Sequence, residues 1–198
     1  MKIAFVAGIF FPHPGGAQVQ IHNVANKLIN KGIIVDCYLF EKSNIKNNNY
    51  KIIILNKFIL NLIFLLKYYL NVELIFILKF YLKKIIKDKQ YEIWHFNFLN
   101  YKNLLLINCL KQLNQKILVT FQGVDIQIDE EIKYGYRIDK KYDMYLKKVI
   151  NSIDHFSCLS ETIKKDILNL GVQGEKLSLI PNAVELKKFL NLKKNNQK

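Results

Sequence analysis

Short apolar runs alternate with helix-period segments along almost the whole chain, and that alternation is the strongest constraint on its fold. Residues 3–9 form an apolar run after Lys2 and predict a first strand. Over residues 18–31, Ile21, Val24, Ala25, Leu28 and Ile29 recur at i, i+3, i+4, i+7 and i+8, the spacing of one helix face. Gly32 follows where a terminating glycine belongs. Residues 33–40 and 50–55 predict the next strands, separated by a polar turn at 44–49. An apolar helical region comes next, then strands at 91–96 and 117–121 around a helix at 99–113. Residues 123–137 read as a charged loop and 140–151 as a helix. A strand at 155–158 precedes a helix that Ser160 caps and Gly171 ends. Residues 177–180 predict a last strand, stopped by Pro181-Asn182, and 192–198 form a polar tail. Repeated strand–helix–strand order with continuous apolar strands predicts an α/β, Rossmann-like parallel sheet with helices on both faces. Ligands of such sheets bind at the carboxyl ends of the strands.

The chain has 198 residues, 51% of them apolar, enough for one sizeable core. Its formal net charge is +14, which points to an anionic partner. Arg137 is the only arginine, and reading base edges leans on bidentate Arg, so no nucleic-acid partner is expected. A phosphorylated ligand and an anionic membrane surface remain, beside a plain solvated basic surface. Cys37, Cys109 and Cys158 lie far apart in apolar contexts, with no CxxC or Cys/His spacing, so buried thiols in a reducing cytoplasm are expected and no metal site. Pro12-His13-Pro14-Gly15-Gly16 follows the first apolar run without a small-x-small cleavage site, which argues for a strand and loop over a signal peptide. Residues 52–86 are very apolar, but Lys67, Glu73 and Lys79 interrupt them. One or two helices lying in a membrane interface, or packed on the sheet, fit this stretch better than a membrane span.

Five strand-end loops carry the residues able to do chemistry. At Gly15-Gly16 two glycines open a helix, where backbone N–H groups and the helix dipole suit an anion; a diphosphate is a natural ligand, and a plain strand–helix turn is the alternative. The loop is neither the GxGxxG fingerprint nor a P-loop. His95 and Asn97 close the strand 91–96. Gln122 and Asp125 flank Gly123. Gln122 can bind a sugar hydroxyl; Asp125 can accept from one or cap a turn. Ser160-Glu161 opens a helix, and Asn182 lies on a sharp exit from the last strand. No Ser/His/Asp triad spacing occurs, and the trio Asp129-Glu130-Glu131 reads as a solvated loop.

Taken in order, these segments resemble the GT-B glycosyltransferases of family 4. Residues 14–18 with the helix to Lys31-Gly32 are similar to the family's opening loop. Trp94-His95-Phe96 resembles its D-x-[IV]-H strand, and residues 119–125 its T-x-H-G-x-D segment. Residues 152–154, Ser160-Glu161, Gly171-Val172, Lys176-Leu177 and 180–185 to Phe189 resemble its A-D-x-[VI]-x-x-x-S…PNGVD…F segment, the most specific match. The resemblance implies an acceptor-side N-terminal domain over residues 1–185 and the start of an interdomain linker at 186–198. A second Rossmann domain with an E-x7-E donor site would follow or come from a partner chain. It implies retaining, metal-independent transfer from a nucleotide sugar, which is a cosubstrate, with no cofactor. Gly15 and Gly16 then face the donor diphosphate. Gln122 and Asp125 are the catalytic candidates. His95, Asn97, Glu161 and Asn182 are the substrate-binding ones. Gln122 stands where the family usually has His and cannot move a proton; Ala183 and Glu185 replace the usual Gly and Asp.

Two readings follow from the sequence. One is the N-terminal domain of an enzyme transferring sugar to a cell-surface polysaccharide or lipid-linked acceptor, cytoplasmic or peripheral on the inner membrane face, and inactive alone. The other is a non-catalytic Rossmann-like binding module, or one subunit of a split transferase.

Overall fold

The computed structural model describes residues 1–7, 15–41, 49–72 and 74–183. Seven strands form one parallel sheet: β1 (Lys2–Ala7), β2 (Ile34–Leu39), β3 (Lys51–Ile54), β4 (Ile93–Phe96), β5 (Ile117–Thr120), β6 (His155–Cys158) and β7 (Leu177–Leu179). Their spatial order is β3-β2-β1-β4-β5-β6-β7. The chain steps outward from β1 to β3, then returns to lay β4 on the other side of β1. The order therefore reverses between β1 and β4, where open parallel sheets leave a crevice at the strands' carboxyl ends.

Strand β1 shows why its run is unbroken. Ala4 and Val6 enter one buried cluster, while Ile3, Phe5 and Ala7 enter the other. Both faces of the strand are covered, so neither set of alternating positions can be polar. Helix α1 (Gly16–Asn30) covers the second cluster with Ile21 and Ala25. It ends as the sequence predicts: Gly32 adopts φ 80°, its N–H donates to the Ile29 carbonyl, and the Ile33 N–H donates to the Leu28 carbonyl. That pair of bonds is the Schellman arrangement.

The other face carries α2 (Lys57–Leu70), α3 (Ile75–Lys89), α4 (Tyr101–Lys111), α5 (Lys140–Ile150) and α6 (Glu161–Asn169). The apolar stretch after β3 is two helices. Asn71 takes the left-handed conformation (φ 54°), and its N–H and that of Val72 close onto the carbonyls of Lys67 and Leu66. No helix among the described residues is long and apolar enough to cross a membrane. Side-chain caps start four of the helices: Asn56 on α2, Asn100 on α4, Asp139 on α5 and Ser160 on α6. All three cysteines are free and buried.

Strand and helix ends fall within a few residues of the sequence expectations. Residues 8–14, most of the turn at 44–49, and the end of the domain with its linker, 184–198, lie outside the described residues.

Candidate functional site

The loops leaving β4 and β5 meet at the carboxyl end of the sheet, and helix α1 follows β1 in the chain. Gly15 caps α1 in extended backbone; no side chain caps that end and no acid sits in its first turn. Among the described residues, a Cβ on Gly15 would meet the flexible Gln18 side chain, and one on Gly16 would meet nothing within 4 Å. The α1 N-terminus carries the helix dipole and unpaired backbone amides that suit an anion.

The β4 and β5 loops are bound into one platform. The Asn97 N–H donates to the Val6 carbonyl (3.3 Å), tying β4 to β1. Gln122 Nε2 donates to the Asn97 carbonyl (3.2 Å). The Asp125 carboxylate holds both loops: Oδ1 accepts from the N–H groups of Gln122 (2.9 Å) and Gly123 (3.0 Å), and Oδ2 from that of Leu99 (2.9 Å). Asp125 is fully buried. Burial pushes its pKa up to about 6, against the backbone N–H bonds that pull it down, so it is ionised at neutral pH. Of the two roles read for Asp125, binding a sugar hydroxyl or capping a turn, this geometry carries the second. Gly123 adopts φ 117°, a conformation side chains rarely take, with Gln127 and Tyr134 close by.

His95 lies on the α1 side of the sheet, edge-on to Phe5 at 5.0 Å, with Nε2 2.8 Å from Thr120 Oγ1. Burial lowers its pKa to about 4. It is neutral at pH 7 and already engaged by Thr120, so it orders the strand ends instead of carrying protons. The linkage sign is clear. A folded pKa below the unfolded value of about 6.5 means the unfolded chain binds the proton first, so His95 costs stability as pH falls from about 6.5 toward 4. His95→Gln keeps a partner for Thr120 and removes the titration. Its stability relative to the parent is expected to improve by about 2–3 kcal/mol between pH 7 and pH 4 in urea titrations. Parallel curves for the two proteins would reject this assignment.

Two further sequence candidates follow β6 and β7. Glu161 is exposed in the first turn of α6, 3.4 Å from Lys164 Nζ. Asn182 is exposed beyond β7. Among the described residues no hydrogen bond joins either to Gly16, Asn97 or Gln122. The Asp129 carboxylate accepts from the N–H groups of Glu131 and Ile132, which makes the acidic trio a self-capped turn. No group of metal-ligating residues occurs among the described residues.

Sequence reasoning missed a groove of about 760 Å³ opening beside the platform. Seven aromatics line it, Phe40 and Phe64 with five tyrosines, among them Tyr68, Tyr69, Tyr101 and Tyr142. Lys102 and Lys133 add positive charge, and Glu41 and Asp139 negative. Tyr142 belongs to both structures, because its hydroxyl donates to the Asp125 carbonyl (2.8 Å). Lys102 Nζ donates to Asn61 (2.6 Å) and lies over the Phe64 ring; burial lowers its pKa, and the nearby Lys57 charge adds to that. These residues are scattered over the sequence from 40 to 142. Only tertiary folding gathers them, so no local motif signals the groove.

The sequence matches the model of Glycosyltransferase Family 4 over residues 14–188. No curated protein matches it. Among solved structures, HepE from Anabaena in complex with UDP superposes with a TM-score of 0.65 at 13% identity, covering 94% of this chain and 45% of that one. A glycosyltransferase from Rickettsia africae gives 0.56 at 18% identity, covering 98% and 49%. The UDP-GlcNAc 2-epimerase of Methanocaldococcus jannaschii gives 0.55 at 11% identity, covering 100% and 50%. The chain thus spans about half the length of these structures. At such identities they show the fold, shared here by transferases and an epimerase.

Proposed function

The chain belongs to glycosyltransferase family 4 and has the fold of the N-terminal half of a GT-B enzyme, and from that premise we propose that it forms the acceptor-side wall of a nucleotide-sugar transferase cleft. One observation carries the reading: the Asn97–Gln122 platform at the carboxyl ends of β4 and β5 is tied to the aromatic groove through Asp125 and Tyr142, and β4 pairs with β1, the strand that precedes α1, where the strand order reverses. HepE, similar in fold, was solved with UDP and with UDP-glucose. A nucleoside diphosphate sugar would set its diphosphate against the α1 N-terminus, where amides and dipole stabilise the charge that grows as the sugar leaves. Gln122, held through its own N–H by Asp125, orients a sugar hydroxyl and moves no proton. The groove takes the acceptor: its tyrosine faces stack on apolar sugar faces, and Lys102 and Lys133 attract phosphate. The acceptor is a cell-surface glycan or lipid-linked sugar, reached by peripheral attachment to the cytoplasmic membrane face. Transfer is retaining and metal-independent, and needs a donor-binding domain opposite this wall, on the same polypeptide or on a partner.

Titrating the labelled chain with UDP-, GDP- and ADP-sugars and following backbone amide resonances tests this reading. The expected result is saturable shifts at Gly15, Gly16, Asn97 and Gln122 with one nucleotide. Shifts confined to another surface would sink it.

A further inference from the structure

We infer that the outward face of the α2–α3 pair is a docking surface for an anionic lipid bilayer, which deepens the acceptor reading above and rests on it only for the acceptor's identity. Helix α2 exposes Phe58, Leu62, Leu65 and Tyr69, at i, i+4, i+7 and i+11, as one apolar stripe. Its other side buries Leu60 and Ile63. Helix α3 exposes Phe76 and Phe80, then Lys83, Lys84 and Lys87 on the following turns, while burying Leu78 and Leu82. All four buried residues enter the same cluster on the same sheet face, so both exposed stripes look away from it. Phe58 is 77% exposed, Phe76 64% and Phe80 81%. Lone exposed apolar residues are common, but rows of them on neighbouring helices mark an interaction site.

Charge selects the partner. The two helices carry Lys57, Lys67, Lys79, Lys83, Lys84, Lys87 and Lys89 against the single acid Asp88. A second copy would bring these lysines against their own kind. A nucleic acid would satisfy the lysines and leave the phenylalanines in water. An anionic bilayer takes both, with lysines at the headgroups and aromatic rings below them. At 14 and 15 residues the helices rise about 21–23 Å, short of the roughly 30 Å hydrocarbon core, so they lie along the surface. Docking also aims the groove. Phe64, Tyr68 and Tyr69 of α2 line it, so its mouth opens at the lipid–water boundary, within reach of a sugar carried on a lipid.

The test is flotation of the full chain with vesicles of phosphatidylglycerol and phosphatidylcholine, or of phosphatidylcholine alone. Strong, salt-weakened binding to the anionic vesicles is expected. Phe76→Ser/Phe80→Ser should lower partitioning at least tenfold and Lys83→Gln/Lys84→Gln about 25-fold, since each headgroup lysine is worth about fivefold. These side chains are exposed, so unchanged melting curves check that the variants fold. Brominated lipid should quench the added fluorescence of Phe80→Trp. Absence of binding to anionic vesicles, equal binding by the Ser variant, or an unquenched Phe80→Trp overturns the proposal. So does a concentration-dependent dimer that the Ser variant loses. If vesicles bind as described while no nucleotide sugar shifts Gly16 or Gln122, docking stands and the transferase reading falls.

Discussion

Replacing Asp125 with Ala is expected to lower the thermal midpoint by about 10 °C and leave secondary structure intact below it. The carboxylate is fully buried and accepts from the N–H groups of Leu99, Gln122 and Gly123. Removing it strands three buried donors. Each costs about 1–3 kcal/mol at most, and water entering the cavity recovers part, so a total near 3–4 kcal/mol is reasonable. In a domain of 150–250 residues that corresponds to roughly 2–4 °C per kcal/mol. Asp125→Asn should lose about half as much, because its oxygen can still serve one loop while its NH₂ faces a donor. A loss below about 2 °C for Asp125→Ala would mean the platform is held by something else, and Asp125 would return as a ligand contact.

The second large effect is on transfer. Gly16→Leu adds a side chain at the α1 N-terminus, where a Cβ meets nothing within 4 Å among the described residues. In an assembly containing the donor-binding domain it should reduce kcat/KM at least 100-fold, about 2.7 kcal/mol of transition-state stabilisation. The melting temperature should move by no more than about 2 °C. Gly16→Ala, with one methyl, should cost less than tenfold. Equal losses from Ala and Leu would point to altered helix structure instead of a blocked diphosphate; no loss from Leu would place the donor elsewhere.

These predictions rest on features of unequal visibility in the sequence. The parallel sheet was readable because β1 must be apolar on both faces, and the α1 boundary because Gly32 fills the one position that needs a positive φ. The stretch after β3 allowed one or two helices, and the left-handed Asn71 at the end of α2 decides for two. Gln122 and Asn97 were legible as strand-end polar residues, and the structure joins them by a bond across 25 positions. Asp125 was legible as a polar loop residue, but its burial is tertiary, and burial decides whether a carboxylate meets a ligand or holds a backbone. Glu161 and Asn182 matched by local spacing and lie outside the platform's hydrogen bonds. The aromatic groove left no local trace, since its walls come from α2, α4, α5 and the loop before α5.

The central claim is that this chain supplies one wall of a transferase cleft. Transfer of labelled sugar from the nucleotide identified by amide titration to a membrane-lipid extract tests it most directly, measured with the chain alone and with a donor-binding GT-B domain added. The account predicts turnover only when both halves are present, lost with Gly16→Leu. Robust turnover by the 198-residue chain alone, or turnover in the pair that is indifferent to Gly16→Leu, would contradict it.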